Sequence, residues 1–95
     1  MITENIVFRS DFKKDLKHLA IDQNVSVSSM LIDEADYVLE NDKNIDKIEF
    51  DSSESFTMRL DSDLKLRIKK FCYNHDIRIK DFWNGIAFRI IKNQN

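Results

Sequence analysis

The stretch Ser55-Phe56-Thr57-Met58-Arg59-Leu60-Asp61-Ser62-Asp63-Leu64 decides how this chain is read. Phe56, Met58 and Leu60 alternate with Ser55, Thr57 and Arg59. A period of two predicts a half-buried strand. Ser62 and Asp63 then predict a helix start, because either side chain can accept the orphan amide hydrogen bonds of a first turn. Leu64, Ile68, Phe71 and Cys72 follow at i, i+4, i+7 and i+8, one face of a helix. The polar run Asn74-His75-Asp76 ends it. After the short break Ile77-Arg78-Ile79, a second helix is predicted from near Lys80-Asp81, carrying Phe82, Trp83, Ile86, Ile90 and Ile91.

The same pattern stands 52 residues earlier. Residues 5–41 lie on 57–93 without a gap. Identities are few: Ser10/Ser62, Asp11/Asp63, Lys13/Lys65, Lys17/Lys69, Ala35/Ala87 and Asn41/Asn93. The apolar register is denser. Ile6/Met58, Phe8/Leu60, Phe12/Leu64, Leu16/Ile68, Ala20/Cys72, Val27/Ile79, Met30/Phe82, Leu31/Trp83 and Val38/Ile90 all match. The reading is a tandem repeat: residues 1–41, an acidic linker over 42–54, and residues 55–95. In the first copy the second helix is predicted from near Ser28-Ser29. Ile45, Ile48 and Phe50 predict a linker that is partly anchored by local packing.

A unit with one strand cannot stand alone, because the strand's N–H and C=O groups need a partner. The second copy supplies it. The expected fold is mainly α, with residues 3–9 and 55–61 forming a two-stranded antiparallel β-ribbon over four interlocked helices that share one core. This suits the length. A chain of 95 residues and 11.3 kDa buries only about two-thirds of its unfolded surface, so two separate cores would be marginal.

Composition removes several functions. With no proline and one glycine, the tight hairpins of a loop-rich β fold lack their usual residues. A phosphate loop and a dinucleotide fingerprint are excluded for the same reason. A single cysteine, Cys72, and two distant histidines, His18 and His75, make no metal-ligand cluster. No base, nucleophile and orienting group recur at useful spacing, so no enzymatic activity, metal or cofactor is expected. No apolar run reaches 18 residues and no leader pattern opens the chain, so a cytoplasmic protein without membrane contact is expected. The net charge of −2 hides a split. Residues 1–54 carry six basic and thirteen acidic side chains, and residues 55–95 carry nine and four.

The strand-helix-helix pattern resembles the ribbon-helix-helix superfamily of DNA-binding proteins, the Arc and MetJ type. Thr57 to Leu64, the spaced apolar first helix, and Ile77-Arg78-Ile79-Lys80 carry the resemblance in the second copy. Residues 5–12 and Val25-Ser26-Val27-Ser28 carry it in the first. Two positions depart from the family. Asn24 and Asp76 stand where glycine usually separates the helices, and Arg9 and Asp61 where proline often follows the strand. Asparagine and aspartate tolerate a left-handed backbone. A tandem copy in one chain implies an intramolecular pseudo-dimer, as in the relaxosome accessory proteins of conjugative plasmids.

The resemblance implies a ribbon in the DNA major groove. Base contacts would come from Thr3, Asn5 and Val7 in the first copy and Ser55, Thr57 and Arg59 in the second. Arginine pairs bidentately with guanine, asparagine with adenine, and threonine or valine meets the thymine methyl. Phosphate contacts would come from the N-terminus of each second helix, with Ser28, Ser29, Arg78 and Lys80, flanked by Lys13 and Lys65. Trp83, Phe82 and Phe88 are expected in the core, as is Cys72. His75 is expected to be solvated at a helix end, and Asp33, Glu34, Asp36 and Glu40 on an acidic outer face.

The expected function is sequence-specific double-stranded DNA binding, as a plasmid or phage accessory factor of the origin-of-transfer type or as a transcriptional repressor. The expected partners are double-stranded DNA and a larger DNA-processing or toxin protein. The chain is expected to be a monomer or a weak dimer that assembles cooperatively on DNA. The acidic first half supports an alternative, a protein-interaction module such as an antitoxin or phage-encoded inhibitor.

Overall fold

The computed structural model describes residues 1–93. The chain runs β1 (Ile2–Arg9), α1 (Ser10–Gln23), α2 (Val27–Asn41), β2 (Ser53–Leu60), α3 (Ser62–His75) and α4 (Ile79–Asn93). It is mainly helical, with one two-stranded antiparallel sheet. α1 and α3 each have 14 residues, and α2 and α4 each have 15. Their starts are 52 positions apart in both cases.

Local chemistry sets the boundaries. Asn24 and Asp76 adopt left-handed conformations, with φ of 56° and 54°. Behind them the Val25 N–H donates to the Ala20 carbonyl and the Ile77 N–H to the Cys72 carbonyl, both at 3.0 Å. These are Schellman closures, and they satisfy carbonyls that a helix end leaves free. The starts differ from the sequence reading. α2 is capped by Ser26, whose Oγ accepts the Ser29 N–H at 3.0 Å, so the helix opens at Val27 rather than at Ser28-Ser29. α3 is capped by Asp61, which accepts the Asp63 N–H, and not by Ser62. The start of α1 has no side-chain cap at all. α4 opens at Ile79, one residue before Lys80-Asp81. Val27 and Ile79 are half-buried against the core, which draws each helix start forward.

The strands pair from Ile2↔Leu60 through Asn5↔Thr57 to Arg9↔Ser53. Their inner face sends Ile6, Phe8, Met58 and Leu60 into the core. There they meet Phe12, Leu16, Leu31, Val38, Ile68, Phe82, Trp83 and Ile86. Phe82 packs edge-on against Trp83, with ring centroids 5.3 Å apart. Cys72 is buried, and burial pushes its thiol up to about 11. Phe88 is only partly buried, against Phe12.

Two features hold α4 in place. Asn84 is fully buried and grips the outer edge of β1. Its Oδ1 accepts the Arg9 N–H at 2.9 Å, and its Nδ2 donates to the Val7 carbonyl at 2.9 Å. It thus does what one residue of a third strand would do. The single glycine, Gly85, lies on the same helix beneath Ile45 of the linker. A Cβ at residue 85 would collide with the Ile45 Cγ2 atom. Glycine here is a notch that lets the linker lie on the helix, rather than a conformational need. Ile45 and Ile48 accordingly pack against the core.

Charge also joins the halves. Lys65 pairs with Glu4 at 2.6 Å, Arg67 with Asp36 at 3.2 Å and Arg89 with Glu34 at 3.0 Å, and the His75 ring hydrogen-bonds Asp42 at 2.9 Å. In each pair the acid comes from the first half and the base from the second. His75 is therefore not simply solvated. It also stacks on Phe71 at 4.0 Å. Of the expected acidic outer face, Glu34 is drawn against Arg89, while Asp36 meets Arg67 and its side chain stays 45 % exposed.

Asn84→Ala is expected to cost about 2–4 kcal/mol, because it orphans one N–H and one carbonyl on β1. Urea unfolding measures this. Gly85→Ala should destabilise by about 1–3 kcal/mol through overpacking, and less in an Ile45→Ala background. Equal losses in both backgrounds would show that Ile45 is not the obstacle.

Candidate nucleic-acid interface

The outer face of the ribbon is built by alternation. Glu4, Ile6 and Phe8 turn inward, so Thr3, Asn5 and Val7 turn out. Ser55, Thr57 and Arg59 do the same on β2. All six are exposed. The register sets them in three opposed pairs, Thr3↔Arg59, Asn5↔Thr57 and Val7↔Ser55. The structure thus brings together every residue proposed for base contact.

The spacing of these pairs follows from hydrogen bonding. The Val7 carbonyl and the Arg9 N–H both go to Asn84, away from β2. On the far edge of β2, the Ser55 carbonyl accepts the Lys13 ammonium at 2.8 Å. Odd-numbered residues of both strands therefore point their backbone groups outward. The three exposed pairs are then the non-hydrogen-bonded kind, in which opposed Cα atoms approach to about 4.5 Å. Six side chains occupy a narrow strip. At its centre the Thr57 hydroxyl donates to Asn5 Oδ1 at 3.3 Å, which orients the amide and leaves its N–H2 free to donate. Arg59 has no ion-pair partner among the described residues.

The residues proposed for phosphate contact fall into two groups. Lys80, at the start of α4, lines a cleft of about 260 Å³ together with Glu4, Asn5, Ile6, Val7 and Ile79. This sets an ammonium-bearing helix start directly beside β1. Phe50 of the linker lies under Lys80, with Nζ 5.1 Å from the ring centroid. Arg78 is exposed, and its Nε donates to Asp81 at 3.2 Å. Burial alone would raise the Asp81 carboxyl, but the Arg78 guanidinium and backbone N–H hold it below the ordinary carboxylate value.

The second group is already engaged within the fold. Lys65 is bound to Glu4, and Lys13 to the Ser55 carbonyl. Ser29 accepts the Ser26 hydroxyl at 2.9 Å, inside the cap of α2. Ser28 is half-buried. Lys13 and Lys65 thus act first on the ribbon and its support.

Asn84 and Gly85 escaped the sequence reading, although both govern how α4 meets the ribbon. The signal for Asn84 was a polar residue inside the run Phe82, Trp83, Ile86, on the buried face of an apolar helix. For Gly85 it was the only glycine of the chain placed inside a helix, where it costs about 1 kcal/mol against alanine.

No family model, curated protein or solved structure matches the chain. No helix among the described residues is long and apolar enough to cross a membrane.

A division of labour follows. Arg59→Ala and Asn5→Ala should leave unfolding free energy within about 0.5 kcal/mol of the parent, because both side chains are exposed. Lys65→Ala leaves the half-buried Glu4 carboxylate alone and should cost about 1–2 kcal/mol, between the surface and buried limits for an ion pair. Denaturant titration of the three variants tests this ranking.

Proposed function

We propose that the chain is a sequence-specific double-stranded DNA-binding protein without enzymatic activity, built from two ribbon-helix-helix units that form an intramolecular pseudo-dimer. The observation that carries the proposal is the ribbon's outer face: three opposed pairs of exposed side chains, with groups that read guanine, adenine and thymine edges, on a sheet whose other face is core.

The register supports the paired-unit reading. Residues offset by 52 are equivalent in the repeat, and Asn5 sits directly opposite Thr57, its own equivalent. A two-fold axis relating the units would pass through that pair. In a homodimeric ribbon the central residue likewise meets its own copy. The helices follow the same offset at both ends.

In this arrangement the ribbon enters the major groove, which is wide enough for two strands. The start of α4, with Lys80 and Arg78, and the start of α2, with Ser28 and Ser29, flank it towards the phosphates. Binding marks a site and occludes it. That serves a plasmid or phage accessory factor that recruits a larger DNA-processing protein, and it equally serves a repressor.

The alternative, a protein-interaction module, drew on the acidic first half. Glu4, Glu34, Asp36 and Asp42 meet bases of the second half, and the other first-half acids keep that alternative open for the binding test.

Gel-shift titration of duplexes from the gene's own neighbourhood tests the proposal. Arg59→Ala with Asn5→Ala should weaken binding at least tenfold and erase preference among sequences, since each bidentate base contact carries about 1–3 kcal/mol. Unchanged affinity and preference would overturn it.

A further inference from the structure

The two ends of the ribbon are chemically unlike. At one end Thr3 opposes Arg59, and the Arg59 guanidinium is free of ion pairs among the described residues. At the other end Val7 opposes Ser55, so the positions equivalent to Arg59 and Thr3 hold an isopropyl group and a small hydroxyl. The next outward cation at that end, Arg9, is neutralised. Asp11 takes its Nε at 2.6 Å and its Nη2 at 2.8 Å, and the guanidinium lies over the Phe12 ring. Glu54, opposite the inward Phe8, is an exposed acid at the same end but on the ribbon's other side.

The flanks differ as well. Arg78 and Lys80 precede and open α4, beside β1. The positions 52 residues earlier, at the start of α2, are Ser26 and Ser28. One flank offers the Lys80 ammonium, with the Arg78 guanidinium beside it already paired to Asp81, and the other offers hydroxyls and amides.

Resting on the reading of the ribbon as a major-groove element, we propose that the protein seats on duplex DNA in a single orientation. It reads a non-palindromic site, with guanine under Arg59, adenine under Asn5 at the centre and a thymine methyl under Val7. Arginine donates two parallel hydrogen bonds to guanine O6 and N7, which no other base pair accepts in that geometry. Valine offers no hydrogen bond and packs best on the thymine C5 methyl, the apolar group of the major-groove edge. Turning the protein end for end would bring Val7 to the guanine and Arg59 to the methyl. Both ends would then lose their matched contact, and the Lys80 cation of the α4 flank would move to the opposite strand. Specificity and direction thus come from the same side chains.

The test is selection from randomised double-stranded DNA, followed by orientation mapping of the selected site. Ser53→Cys, opposite Arg9 at the Val7 end and on the outward side of the ribbon, carries an iron chelate that cleaves nearby DNA. The buried Cys72 thiol does not compete for the label. A non-palindromic consensus with one invariant G·C pair, cleaved on one side only, is the expected result. Exchanging that pair should weaken binding roughly ten- to a hundredfold in the parent and by less than threefold in Arg59→Ala. Val7→Arg should shift the consensus towards guanine at both ends and bring cleavage to both sides. A palindromic consensus, cleavage on both sides in the parent, or binding without sequence preference overturns the proposal while DNA binding itself stands. Absence of binding to any duplex overturns the ribbon reading from which it starts.

Discussion

Everything in this molecule depends on one pairing, that of β1 with β2. A lone strand leaves a row of backbone donors and acceptors without partners, and in this chain the two strands are separated by two helices and a linker. No hairpin turn brings them together. They meet because each carries its own helix pair, and the four helices can bury their apolar stripes only around one another. The ribbon and the core are therefore a single cooperative event. The ribbon's outer face stays free for other work because its inner face alone supplies the adhesion.

The charge distribution has a structural use before it has a functional one. A chain-wide sum of −2 says little. The halves are opposite in sign, and three ion pairs and a His75–Asp42 hydrogen bond run between them with acid and base always on the same sides. Joining two first halves would set acid against acid, and two second halves base against base. The pattern favours the mixed pair, as complementary charges do wherever two similar surfaces must avoid pairing with themselves. The imbalance thus serves assembly first. Outside these pairs, Arg59 and Lys80 on the ribbon side carry no ion pair among the described residues.

Much of the fold was legible in the sequence, because periodicity is a property of burial. Phe56, Met58 and Leu60 announce a strand, and Leu64, Ile68, Phe71 and Cys72 a helical face, whatever surrounds them. The six outward residues followed from the same alternation. Helix starts were less legible. Ser26 and Asp61 cap from outside the apolar pattern, and the true first residues, Val27 and Ile79, looked like part of the break. Asn84 and Gly85 were illegible for a different reason. Each answers to residues 40 or more positions away, the backbone of Val7 and Arg9 in one case and Ile45 in the other. No local pattern encodes such a partner. The fate of Lys65 and Lys13 was hidden likewise, since a surface lysine in sequence does not show which carboxylate or carbonyl it will meet.

The distance between the strands also has a meaning in time. A ribosome delivers β1, α1 and α2 first, and Leu60, the partner of Ile2, emerges only after the linker has been made. Until then β1 is an unpaired edge, and its inward residues Ile6 and Phe8 have no core to enter. Non-local pairing of this kind folds slowly, and exposed edges invite association with other chains. The nascent first half meets that interval with a strongly acidic surface, thirteen acids against six bases through residue 54. Like-charged chains repel one another. The acidity that later binds the second half can thus first keep neighbouring nascent chains apart.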